Sequence, residues 1–227
     1  GFYYNLKRGL QELGVEVDLF ANGDDWKQIP GADRPLYQDG DTSPIKRIYN
    51  KIVVPELQKK IYSGYDVVQM VHENLFSSYI NSDMIKSIKE NNGSVYVNIS
   101  GNHPTVYKAW LDGKWGYYTY NDNEEKAEPF TSKELCYRLY RKSSAYVDKI
   151  VDGVIPIMYE YAVGIRDWEN RKQTIPLPFD ASEIEYKENK VGSKVFFYHG
   201  LLRPKDKGGA YIKEALENND NDLELEK

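Results

Sequence analysis

Cysteine is nearly missing from this chain. Its 227 residues contain one, Cys136, so no disulfide can form within it, and a reducing compartment fits best. Histidine is scarce as well. His72, His103 and His199 are scattered and give no zinc-ligand spacing. No apolar run approaches the ~18 residues needed to span a bilayer, and the first residues do not read as a secretory signal. There is no GxxxxGK[ST] loop, which argues against a P-loop NTPase, and no G-x-S-x-G elbow. Basic residues form no long block and the net charge is −5. A broad nucleic-acid footprint is therefore not expected, though a local basic pocket is still allowed.

What remains suits a globular α/β protein. With 41% hydrophobic and 29% charged residues, the chain can bury a core. Its 20 tyrosines suit half-buried amphipathic packing. Phe2, Leu6, Leu10 and Leu13 recur at helical spacing up to Gly14, and Val15, Val17 and Leu19 alternate as a strand. Residues 21–43 read as a loop, followed by a helix from Ile45 to Tyr62 interrupted at Pro55. A strand is expected over Tyr65–Val71, a helix on Ile80, Met84, Ile85 and Ile88, and a strand on Val95, Val97 and Ile99. After a polar aromatic excursion at 112–130, Thr131–Glu134 starts a helix with a capping box. Then come a strand at Ile150–Ile155, a short helix at Met158–Arg166 and a short strand at Thr174–Ile175. This alternation predicts βαβ units, a parallel sheet and a doubly wound Rossmann-like domain.

Two features read as a piece of a longer chain. A doubly wound domain begins on its central strand, yet this sequence opens inside a helix, so the first strand is expected to be missing. At the far end Leu223 and Leu225 begin a strand that stops at once. Pro176 and Pro178 stiffen a connection. This divides a domain at 1–178 from the start of a second Rossmann-like domain at 179–227.

The strongest chemical constellation is Val195–Gly209, VFFYHGLLRPKDKGG. A strand delivers the chain to Gly200, then Arg203, Lys205 and Lys207 follow, and Gly208–Gly209 open a helix. A helix start offers unpaired N–H groups and a positive dipole end, glycine admits close approach, and arginine and lysine hold phosphate. The pattern suits a diphosphate; a solvated basic turn is the plainer alternative. Gly1, directly before a helix, could end a glycine-rich loop. His72 and Glu73 follow one strand, and Ser100, Gly101, Asn102 and His103 follow another. These are the strand ends where an open α/β sheet binds ligands, and a histidine there can contact a sugar hydroxyl or act as a base. Ordinary hydrogen-bonded histidines are the alternative. Glu124–Glu125 read as solvated surface. Trp110, Trp115, Tyr117 and Tyr118 could form an aromatic acceptor platform or simply pack a loop. Lys46, Arg47, Lys51, Lys59 and Lys60 give the helix after residue 44 a basic cast that hints at a membrane surface.

The segment IPLPFDAS…KVFFYHGLLRPKDKGGAYIKEAL resembles the hinge and first βα unit of the donor domain in retaining glycosyltransferases of the GT-B fold. It looks most like the "group 1", family 4 type that builds bacterial surface polysaccharides. The matching features are Ile175–Pro176…Asp180, Gly200, Arg203, Lys207–Gly208 and Glu214–Ala215–Leu216. NLKRGLQELGVEVDLF, YDVVQMVHENL and VYVNISGNHP are similar to the family's first helix and following strands. Where many members have H-G-x-D, this chain has Ser100 first and His103 last, and its Arg203 falls three residues after the glycine rather than next to it. The family's E-x7-E element would lie beyond Lys227.

The resemblance implies an enzyme that moves a sugar from a nucleotide-sugar to a glycan or lipid-linked glycan with retention, needing neither a bound metal nor a cofactor. Arg203 and Lys207 would stabilise the leaving diphosphate. Gly1, Gly200 and Gly208 would line its site, and His72, Glu73, Asn102 and His103 would face the acceptor or sugar. The implied setting is cytoplasmic, at or near the inner face of the membrane, with no nucleic-acid partner. The piece alone is expected to be inactive. The alternatives are a non-catalytic sugar- or nucleotide-binding module and a nucleotide-sugar epimerase of the same fold.

Overall fold

The computed structural model describes residues 2–21, 32–36, 43–77, 79–100, 103, 105–106, 109, 112–114, 147–188, 192 and 209–217. The chain divides into two compact units, Gly1–Glu183 and Ile184–Lys227.

The first unit opens with helix α1, Phe2–Glu12. Gly14 ends it at φ 79°, a left-handed conformation that costs glycine nothing. The Gly14 and Val15 N–H groups bond back to Gln11 and Leu10. The segment from Val15 onward, expected to be a strand, joins no sheet among the described residues and makes one parallel bridge there, from Phe20 to Arg34. Its backbone groups are taken elsewhere. The Leu19 N–H donates to the Asp33 carboxylate at 2.7 Å, and the Leu19 carbonyl accepts from the Asp33 N–H at 2.9 Å.

A broken helical segment follows. Helix α2, Pro44–Ile48, runs into a π turn, Tyr49–Val53, and then into α3, Val54–Leu57. The backbone stays right-handed at each junction. The interruption expected at Pro55 takes this form because proline has no N–H for the Lys51 carbonyl and its ring crowds that carbonyl. The turn before it widens to i→i+5 bonding. A 3₁₀ turn, Lys59–Tyr62, completes the segment.

The sheet has three described strands: β1, Val67–Met70; β2, Ser94–Ile99; and β3, Gly153–Pro156. They lie in the order β1-β2-β3 with both pairs parallel, Val67 opposite Ser94 and Tyr96 opposite Gly153. Parallel neighbours require a crossover, and helix α4, Asn81–Glu90, lies on the one from β1 to β2. As the middle strand, β2 buries Val95, Val97 and Ile99 on one face and the polar Asn98 on the other. Met84, Ile85 and Ile88 of α4 join Val95, Val97, Val154, Ile165 and Phe76 in one cluster. Each such side chain contributes about 1.5–3 kcal/mol by leaving water.

The chain before β3 differs from the expected strand at 150–155. Helix α5, Val147–Ile150, comes first, and the strand starts only at Gly153. Asp152 makes the change. Its N–H donates to the Val95 carbonyl at 2.9 Å, its carboxylate accepts the Val95 N–H at 2.7 Å, and Lys89 pairs with it at 2.9 Å. The outer edge of β3 is covered by residues 170–175. Val154 N–H bonds the Asn170 carbonyl, Lys172 N–H that of Val154, and Ile175 N–H that of Pro156. The expected strand at Thr174–Ile175 is thus an irregular bonded edge. Helix α6, Tyr159–Val163, is shorter than the 158–166 expectation, with turns continuing to Asp167.

The described residues are therefore α/β with a parallel three-stranded sheet, compatible with the Rossmann-like class. The described strands run in consecutive order, so the reversal that defines double winding is not among them. In the second unit, helix α7, Gly209–Glu217, begins where the sequence predicts a helix. The expected strands near 195 and 223, the basic loop and the helix at 131–146 lie outside the described residues. No described helix is long and apolar enough to cross a membrane.

Candidate functional site

In a parallel sheet the chain leaves every strand at the same end, and the loops there gather polar side chains from distant sequence. After β1 the loop carries His72 and Glu73; after β2 it carries His103 and Thr105. Glu73 is 3% exposed, His103 6% and Thr105 1%.

The structure joins Glu73 and His103 directly, His103 Nε2 lying 3.0 Å from Glu73 Oε1. At the other ring nitrogen, Nδ1 accepts the Thr105 N–H at 3.2 Å and sits 2.7 Å from the Thr105 hydroxyl. A nitrogen that accepts an amide proton carries none of its own. The imidazole proton is therefore on Nε2 and points at the carboxylate. Both ring nitrogens of His103 are thereby engaged within the protein. In this geometry His103 and Glu73 tie two strand-end loops together and do not present a base to a ligand.

Each partner is held in turn. Asn81, the first residue of α4, donates from Nδ2 to the Glu73 carbonyl at 2.7 Å, and its Oδ1 accepts the N–H groups of Leu75 and Phe76 at 3.1 and 3.0 Å. It clamps the loop that carries Glu73. On the other side, Gly164 lies against Thr105. A Cβ there would fall 2.5 Å from the Thr105 carbonyl oxygen, so only glycine lets the α6 end approach so closely.

His72 stands differently. Its side chain reaches solvent, and its Nδ1 accepts the Asn74 N–H at 2.9 Å. The surrounding protein disfavours the charged ring and holds its pKa below the ordinary histidine value, with Glu73 opposing and His103 reinforcing that shift. It is a neutral donor through Nε2–H at pH 7.

A second polar chain crosses the same strands one step earlier. Gln69 Nε2 donates to Asn98 Oδ1 at 3.1 Å, and Asn98 Nδ2 donates to the Tyr3 hydroxyl of α1 at 2.7 Å. Burial pushes the Tyr3 hydroxyl up to about 12, with the Asn98 bond opposing the shift, so Tyr3 keeps its proton at neutral pH. These amide, hydroxyl and imidazole groups both donate and accept hydrogen bonds, as sugar hydroxyls do.

Asp180, in the hinge motif, has a defined local role. Its Oδ1 accepts the Ser182 N–H at 2.9 Å and the Ser182 hydroxyl at 2.6 Å, and Oδ2 pairs with Arg8 of α1 at 3.0 Å. The Ser182 bonds, then Arg8, hold its carboxyl below the usual range.

Of the expected site residues, Glu73 and His103 are brought together and His72 lies near enough to feel both. Gly1, Asn102, Gly200, Arg203, Lys207 and Gly208 lie outside the described residues. Thr105, Asn81 and the Tyr3–Asn98–Gln69 chain were not foreseen. The signal for Asn98 is a lone amide in the apolar strand VYVNI; Thr105 and Asn81 act through backbone geometry that spacing does not reveal. Among the described residues no group of three or more His, Cys, Asp or Glu side chains could hold a metal.

Among the described residues, fold and site define an α/β protein whose parallel strands end in hydrogen-bonding side chains. Comparison with protein-family models, curated proteins and solved structures finds no match.

Proposed function

We propose that this chain is part of a retaining glycosyltransferase of the GT-B fold, with the first unit on the acceptor side and the second opening the nucleotide-sugar site. The observation that carries this reading is the helix Gly209–Glu217 starting directly after Arg203, Lys205, Lys207 and Gly208. A helix start preceded by clustered cations and glycine suits a diphosphate. Arg203 and Lys207 offset the charge that grows on the leaving nucleoside diphosphate, which is electrostatic stabilisation that requires no metal. The neutral His72 at the end of β1 and the amide–hydroxyl chain of Gln69, Asn98 and Tyr3 suit an acceptor rich in hydroxyl groups.

In this reading Glu73 and His103 position the acceptor loops and do not act on substrate. That weighs against an epimerase of the same fold, which would draw on acids and histidines for proton transfer. The test is release of nucleoside diphosphate by the full-length protein from a panel of nucleotide-sugars, with and without glycan acceptors. Release that depends on acceptor supports the transferase. Conversion of the sugar without acceptor supports the epimerase, and binding without either reaction supports a non-catalytic module.

A further inference from the structure

The helical segment Pro44–Leu57 turns an apolar line outward. Ile45 is 80% exposed and Leu57 72%, and Ile48, Tyr49 and Val53 are exposed between them. Ile45, Tyr49, Val53 and Leu57 fall four residues apart. In an uninterrupted α-helix of ~3.6 residues per turn, such a repeat drifts around the axis. The wider π turn Tyr49–Val53 counters that drift, so the Pro55 defect helps keep the line on one side. The opposite side is anchored by buried Val54, Pro55 and Tyr62.

The same stretch is basic. Lys46, Arg47, Lys51, Lys59 and Lys60 stand against a single acid, Glu56, in a chain of net charge −5. Glu56 pairs with Lys59. Lys46, Arg47 and Lys60 are exposed beside the apolar line. A second copy of the chain is a poor partner for this face, because a two-fold contact would bring the same cations together. An anionic bilayer satisfies both properties, taking the apolar line into the headgroup–acyl boundary and the cations at the lipid phosphates.

We infer that Pro44–Tyr62 is a peripheral docking element that lies along an anionic membrane surface. This inference is independent of the sugar-transfer reading and stands or falls without it. The test is vesicle flotation of the 227-residue chain, using phosphatidylcholine alone or mixed with phosphatidylglycerol. The chain floats with the anionic vesicles and not with the neutral ones. Ile48→Asp with Leu57→Asp abolishes flotation while circular dichroism stays unchanged, because both side chains are exposed. Arg47→Gln with Lys60→Gln weakens partitioning about fivefold per charge removed. Tyr186→Asp, exposed elsewhere, has no effect. Flotation with neither vesicle, equal flotation with both, or flotation indifferent to the helix variants overturns the inference. Self-association that Ile48→Asp abolishes, without vesicle binding, assigns the line to a second copy instead.

Discussion

At the scale of single residues, the informative contact is the buried pair of Glu73 and His103. Its worth lies in satisfying a donor that has lost water, more than in attraction between full charges. Two substitutions separate these contributions. Glu73→Gln keeps an oxygen that can accept the Nε2–H and is expected to cost no more than about 1 kcal/mol. Glu73→Ala strands a buried N–H and opens a cavity, and is expected to cost about 3 kcal/mol. Urea unfolding of both variants checks this. Equal losses would mean that the carboxylate's charge, not its hydrogen-bond geometry, holds the loops. The sequence marks His72, Glu73 and His103 as strand-end polar residues, which is where they lie. It gives no sign that two of them consume each other, because that depends on Thr105 delivering an amide to His103 from two residues away.

Among elements, regular stretches with clear periodicity were legible and the joints were not. Helix α4 and strand β2 follow apolar spacing, since burial of one face dictates both pattern and structure; α1 and β1 also form where the pattern predicts, though Phe2 of α1, Leu13 just after it and Val67 of β1 are exposed. The chain at 15–19 has the alternation of a strand, yet Asp33 takes the Leu19 amide and the sheet does not form there. Ile150 looks like strand and is the end of a helix, because Asp152 sets the register against Val95. Glycines show the same dependence on surroundings. Gly9 lies inside α1 with nothing within 4 Å of its would-be Cβ, so Gly9→Ala is expected to stabilise by about 1 kcal/mol through helix propensity. At Gly93 a Cβ would fall 2.2 Å from the Asp66 carbonyl oxygen, where β2 docks beside β1. Gly93→Ala is expected to lower the thermal midpoint by several degrees, about 2 kcal/mol or more. Calorimetry of the two variants should give shifts of opposite sign; shifts of the same sign would contradict the packing described at the α4–β2 joint.

Over the whole molecule, α/β class and parallel pairing were readable from alternating strands and helices, whereas double winding needs a strand reversal that the described strands do not contain. Titration also acts at this scale. Lys7 and the Leu19 amide hold Asp33 below the ordinary carboxylate range, the Val95 amide and Lys89 do so for Asp152, and Ser182 and Arg8 for Asp180. A carboxylate whose folded pKa is depressed adds stability that is present above its unfolded pKa of about 4 and is lost as pH falls through the folded value. The lowered His72 has the same sign one step higher, its contribution being lost below about pH 6.5. The thermal midpoint should therefore decline gently below pH 6.5 and more steeply below pH 4, and Asp152→Asn should flatten the acid limb. A midpoint that holds level from pH 7 to pH 3 would contradict these assignments. The basic loop before α7 is central to the proposed reaction, and turnover of the Lys207→Ala variant of the full-length protein in the nucleoside diphosphate release assay tests its role most directly. Loss of one charge-assisted phosphate contact of about 2–3 kcal/mol predicts a rate lower by about thirtyfold or more, with Arg203→Ala smaller in effect. Undiminished release by Lys207→Ala would contradict the account.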